Sequence, residues 1–157
     1  MTANANTNSS SNTQKTIKSY PLPTRGSFVL CKFPHEEPAE QQATLPPPKK
    51  RPALVVGVEP VSKTVNVVYG TTQNVGDSEI YPSELVIRKT DQDFSYTGLS
   101  HDTKFKLERT VQLPYNSEYF EIPAARYGKP VPVDPKIGIL PFSYVDALQM
   151  AAKNIKK

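Results

Sequence analysis

Only one cysteine, Cys31, and two histidines, His35 and His101, occur among 157 residues. One thiol closes no internal disulfide, and one Cys with two His falls short of a four-ligand zinc centre unless subunits share it. No metal or other cofactor is expected, and a reducing compartment is the natural reading. No apolar run approaches the roughly 20 residues that a membrane helix needs. The N-terminal stretch MTANANTNSS is polar and lacks the apolar core of a signal peptide. The expectation is a cytoplasmic protein with no membrane partner. Also missing are a Walker-type phosphate loop, a Gly-rich dinucleotide fingerprint, a His-Glu-x-x-His helix and a nucleophile elbow. The net charge of +4 is mild, so a polyanionic partner has to be argued from local clusters.

Proline is abundant instead. Sixteen prolines are too many for a helical protein and favour short strands joined by stiff loops. Residues 1–19, rich in Asn, Ser and Thr, cannot recoup the entropy cost of ordering and read as a disordered tail. Residues 20–157 then form one domain. Strands are predicted over Phe28–Phe33, 52–58, Thr64–Tyr69, Ser83–Ile87 and Thr103–Leu107, with a further one near 118–122. Residues 34–50, with five prolines, read as a long functional loop. Near the C-terminus, Ser143 can cap a helix over Tyr144–Asn154, whose Tyr144, Leu148, Ala151 and Ile155 share one face. Short strands, Pro-rich loops and one terminal helix describe a mainly β fold, a small barrel closed by a C-terminal α-helix.

One stretch concentrates the charge. In Lys49-Lys50-Arg51-Pro52-Ala53-Leu54-Val55-Val56, three cations stop at a proline and give way to apolar residues. Proline suits the first position of a strand, which fixes Arg51 where the chain enters the core. If the second and third strands are antiparallel neighbours, the start of one lies beside the end of the other, and Arg51 comes near Thr71. A guanidinium beside a hydroxyl is a good receptor for a phosphate. The alternative is a basic flank that keeps a strand edge soluble.

Three motifs, Arg25-Gly-x-x-Val29-Leu30-x-x-Phe33, Lys50-Arg51-Pro52-Ala53-Leu54-Val55-Val56 and Val68-Tyr69-Gly70-Thr71-Thr72-Gln73, resemble those of the MazF/PemK (Kid) toxins of type II toxin–antitoxin systems. Gly98-Leu99-x-x-Asp102-Thr103 extends the resemblance, which runs from about residue 25 to the end. It departs at Ser27, where the family has an acidic residue, in the long Pro-rich first loop, and over residues 108–135. The resemblance implies an SH3-like barrel of the CcdB/MazF type. It further implies a growth-inhibiting, metal-independent endoribonuclease that cuts single-stranded RNA as a homodimer and is neutralised by an antitoxin with an acidic tail.

On the same basis Arg51 and Thr71 carry phosphate binding and catalysis, and His35, Glu36 or Glu40 of the first loop contributes to cleavage. His35 is the candidate base, since it titrates in the right range and arginine does not. Lys49, Lys50, Thr72, Gln73 and Arg25 are candidate RNA contacts. Each has a plainer alternative: solvated lysines, a turn hydrogen bond at Gln73, a strand flank at Arg25. His101 beside Asp102 reads either as an oriented base or as a structural contact, and Tyr69 as core rather than as a base-stacking platform, because its strand reads as buried. A second expectation, of a different class, is a binding module that keeps the barrel, lacks the nuclease and targets a protein or a nucleic acid, DNA included.

Overall fold

The computed structural model describes residues 16–33 and 49–155. The expected tail lies outside the described residues as far as residue 15, as does most of the long loop, with His35, Glu36 and Glu40. The fold is mainly β, as expected: a six-stranded antiparallel sheet, curled like part of a barrel, with one short C-terminal helix. The strands are β1 (Ser27–Lys32), β2 (Lys50–Glu59), β3 (Thr64–Thr71), β4 (Glu84–Ile87), β5 (Thr103–Pro114) and β6 (Lys136–Ile139). Their order across the sheet is β4-β5-β3-β2-β1-β6. The helix, α1, spans Val145–Lys153, and no helix among the described residues is long and apolar enough to cross a membrane.

The curl comes from β5. Its first residues pair with β4, from Ile87↔Thr103 to Glu84↔Lys106. On its other side the register with β3 slips, from Val68↔Thr110 to Gly70↔Phe105. Three extra residues on β5 make a bulge, which bends the strand and raises its twist. β5 therefore runs well past the Leu107 end expected for it, because the polar Glu108-Arg109-Thr110 sits in this bulge and breaks the alternation.

Both faces of β1, β2 and β3 are covered, which is why these strands read as nearly continuous apolar runs. One face buries Phe28, Leu54, Val68, Leu85, Ile87, Phe105 and Leu107 under α1, with Phe28 and Phe105 rings 5.4 Å apart. The other buries Val29, Cys31, Ala53, Val55, Val65 and Val67 under Tyr20, Tyr115 and Phe120. Residues 18–20 run antiparallel to 115–117 through Ser19↔Asn116 and a Tyr20 N–H bond to Tyr115 O of 3.1 Å.

Two details differ from expectation. No strand forms near 118–122; a bridge Cys31↔Phe120 and a Lys32 N–H bond to Tyr119 O at 2.7 Å cover the half of β1 that β6 leaves open. At α1 the N-cap residue is Tyr144, and Ser143 lies in a 3-10 turn, Phe142–Tyr144, where its hydroxyl donates to Asp93 Oδ2 at 2.7 Å. Tyr144 donates to Asp91 Oδ2 at 2.7 Å, so two aspartates dock the helix start on the 91–93 turn.

Candidate nucleic-acid interface

β2 begins at Lys50, two residues before the proline, because β1 extends its pairing through Leu30↔Pro52, Cys31↔Arg51 and Lys32↔Lys50. Arg51 is thus held inside a strand rather than at its threshold. The β2–β3 ladder ends earlier, at Ala53↔Tyr69. Continued two residues further, that register sets Arg51 opposite Thr71, at the point where β2 and β3 part and β3 goes on pairing with β5 through Thr71↔Lys104. Proline falls where β2 has already left β3, so its missing donor interrupts nothing there.

Side chains alternate across a strand, so Arg51 and Thr71 share the face of Ala53 and Tyr69. Arg51 is exposed, and its guanidinium has no hydrogen bond or ion pair among the described residues. Thr71 is half-buried, and its Oγ1 accepts the Gln73 N–H at 3.1 Å. An oxygen that accepts from the turn still has its own proton to donate. Beside the pair stand Phe33 and Tyr69, ring centroids 5.2 Å apart and edge to face. Tyr69 is half-buried rather than core, and its hydroxyl lies 3.5 Å from Arg109 Nη1. A cation, a hydroxyl donor and two aromatic rings on one open strand end can hold a phosphate and stack a base.

The remaining candidates divide. Lys49 and Lys50 lie next to Arg51 in sequence, both exposed. Lys50 faces Lys32 across the ladder, an unfavourable like-charge pair. It is relieved by Glu121, 2.8 Å from Lys50 Nζ, and by Ser117 O, 3.3 Å from Lys32 Nζ. Thr72 and Gln73 are exposed in the turn after β3, and Thr72 lies beside Leu30 and Pro52. Arg25 lies before the start of β1, six residues from Cys31, and borders a groove under α1. Its neighbour Gly26 donates to Val55 O, four strand residues from Arg51, so at about 3.3 Å per residue Arg25 is more than about 13 Å away. His35 is outside the described residues.

His101 is exposed, with Nδ1 3.2 Å from Ser100 Oγ. The carboxylate of Asp102 is engaged by the Lys89 N–H at 2.7 Å and by Arg88 at 3.4 Å. Asp102 therefore ties down the end of β4. Sequence reasoning missed Phe33 and Arg109 as neighbours of Tyr69. Three consecutive polar residues inside β5 were the available signal for Arg109, since a bulge re-aims the side chains it displaces.

No protein-family model and no curated protein matches the chain.

Proposed function

We propose that this chain is a metal-independent endoribonuclease of the MazF/PemK type, acting in the cytoplasm on single-stranded RNA. The observation that carries the reading is the exposed Arg51 guanidinium, without an ion-pair partner among the described residues, two residues beyond the last β2–β3 pair, Ala53↔Tyr69, where the continued register leads to Thr71. In the reaction, the RNA 2′-oxygen attacks the adjacent phosphorus in line and the 5′-oxygen leaves. The products are a 2′,3′-cyclic phosphate and a 5′-OH end.

Arg51 neutralises charge on the phosphoryl oxygens, and the Thr71 hydroxyl donates to one of them. His35, two residues along the chain from Phe33, takes the 2′-OH proton and returns one to the leaving oxygen. Phe33 and Tyr69 offer a stacking surface for an unpaired base, the usual currency of single-strand recognition. The enzyme acts as a homodimer, and an antitoxin with an acidic extended tail occupies the same basic strand end.

A second reading is favoured by one observation: His101, the one histidine among the described residues, lines a cavity with Leu30, Pro52 and Thr72 on the face of the strand ends opposite Arg51 and Thr71. On that reading the barrel binds a protein or nucleic acid without cutting it. Incubation with RNA in EDTA, with the ends mapped, separates the two. Cuts bearing cyclic-phosphate ends that vanish in Arg51→Ala support the enzyme; uncut RNA, or cutting by Arg51→Ala at the parental rate, overturns the assignment.

A further inference from the structure

On the opposite face of the same strand ends lies a cavity of about 330 Å³. Leu30, Pro52, Leu99 and Ile137 form its apolar floor, and Thr72, Ser100, His101 and Arg126 bring polar groups to it. A second cavity, of about 200 Å³, shares Arg126 with it and adds Lys129 and Lys136. Among the described residues, no carboxylate lines either cavity. The three cations have no ion-pair partner among the described residues. An apolar slot the size of one small ligand, opening onto three cations, suits a flat apolar ring joined to an anion.

The slot's wall is built before any ligand arrives. Thr97 Oγ1 donates to Phe94 O at 2.7 Å and accepts the Leu99 N–H at 3.1 Å, and Thr103 Oγ1 donates to His101 O at 2.8 Å. This turn crosses β6 at van der Waals limits. A Cβ on Gly98, whose φ is +76°, would stand 2.0 Å from Ile137 O, and one on Gly138 2.2 Å from the Thr97 carbonyl. Only glycine allows the two backbones so close. His101 and Ser100 are therefore presented by a fixed turn, so little ordering cost attaches to their use.

We infer that this cavity is a nucleotide subsite, which takes the base and phosphate of the nucleotide next to the one bound at Arg51 and Thr71. The base lies over Pro52 and Leu99 with its edge read by Thr72, Ser100 and His101. Its phosphate meets Arg126, with Lys129 and Lys136 beyond. Thr71 ends β3 on the face of Arg51, and Thr72, the next residue, lines the cavity on the other side, so a strand of RNA that wraps the end of β3 reaches both sites. The inference rests on the ribonuclease reading for the source of the nucleotide and on the cavity alone for its chemistry.

The two histidines give two imidazole Hε1 signals, and His101→Asn assigns them. The full chain is titrated with each of the four nucleoside 3′-monophosphates and with inorganic phosphate. The expected result is a saturable shift of the His101 signal, stronger for one base than for the others and weaker for phosphate. Arg126→Ala weakens it about tenfold, as loss of one charge-assisted bond requires, and Arg51→Ala leaves it unchanged. No saturable shift, or one that Arg126→Ala leaves intact, overturns the subsite.

A short single-stranded RNA should displace the mononucleotide, Arg126→Ala should weaken RNA binding whatever the base, and Thr72→Val should alter the base preference beside the cut. If the mononucleotide binds and RNA does not displace it, the assignment to the RNA path is wrong. If mononucleotides bind while RNA is never cut, the ribonuclease reading fails and the subsite stands. If RNA is cut with the same preference by Thr72→Val, the subsite fails and the ribonuclease stands.

Discussion

Thr71 has a cation on each side of it, Arg51 by register on β2 and Lys104 directly paired on β5, and the two are treated in opposite ways. The Lys104 side chain is 3% exposed, and its amine lies 3.1 Å from Glu84 Oε1 and donates to Glu79 O at 3.0 Å. The ring of Tyr81 covers it at 5.8 Å. Glu84 Oε1 also accepts the Tyr81 N–H at 2.9 Å, so the pair pins the 79–84 segment on the sheet. Arg51 is exposed and has no such partner among the described residues. Of two neighbouring cations on one sheet, the partnered one holds a loop, and the other remains able to meet an anion from outside.

Removing the partner of the buried cation should have the largest effect. Glu84→Ala strands an ammonium in the interior and is expected to cost about 3–5 kcal/mol of stability, read as a lower urea midpoint. A double change to Lys104→Met with Glu84→Met should recover most of it, since a well-packed apolar pair is often neutral in place of an ion pair. A loss under about 1 kcal/mol for Glu84→Ala would put Lys104 in the same class as Arg51 and dissolve the contrast.

Arg51→Ala should do the reverse. RNA cleavage falls by at least about a hundredfold, corresponding to a barrier raised by about 3–4 kcal/mol, while the urea midpoint stays put. Arg51→Lys should restore little, because a point charge does not reproduce the planar fork. Equal loss of stability and activity in Arg51→Ala would make the residue structural.

Tyr144 and Asp91 supply a smaller effect, at the far end of the fold. Burial, and then the hydrogen bond to Asp91, pushes the Tyr144 phenol well above its ordinary value. A raised folded pKa means that the contribution is whole below the unfolded value of about 10 and is lost as pH climbs above it. Tyr144→Phe should cost about 1 kcal/mol at neutral pH and flatten the fall in stability above pH 10. Tyr115, raised chiefly by its own burial, keeps part of that fall. An unchanged alkaline limb in Tyr144→Phe would show that the bond to Asp91 does not hold the helix.

The β1–β3 core was legible because strands buried on both faces leave nearly continuous apolar runs, Phe28 to Phe33 with Lys32 inside it, Ala53 to Val56, and Val65 to Tyr69 with Asn66 inside it. Arg51 could be set near Thr71 for the same reason, since a short turn between two such runs implies antiparallel neighbours. β6 was not legible. Four residues at an edge, between Pro135 and Pro141, are too short to show a period, and their place is set by β1 and by the close crossing of Gly98. The cavity around Thr72, His101 and Arg126 was hidden more deeply. Its walls come from β1, β2, the 97–101 turn and the proline-rich 123–137 stretch, and no local pattern records their meeting.

The smallest expected effect concerns Lys50 and Glu121, an ion pair at 2.8 Å whose members are 50% and 41% exposed. Such pairs contribute about 0–1 kcal/mol and less in salt, so Glu121→Ala should barely move the unfolding midpoint. Its effect on RNA separates the two classes of cation. If Lys50 belongs with Arg51, removing Glu121 frees it for a phosphate, tightens RNA binding and steepens the dependence of affinity on salt, by about 0.7 in the log–log slope for one added phosphate contact on a single strand. Lys50→Ala should shallow that slope by the same amount. If instead neither variant alters the slope, Lys50 belongs with Lys104, as a charge already answered within the protein, and the basic approach to Arg51 narrows to Lys49.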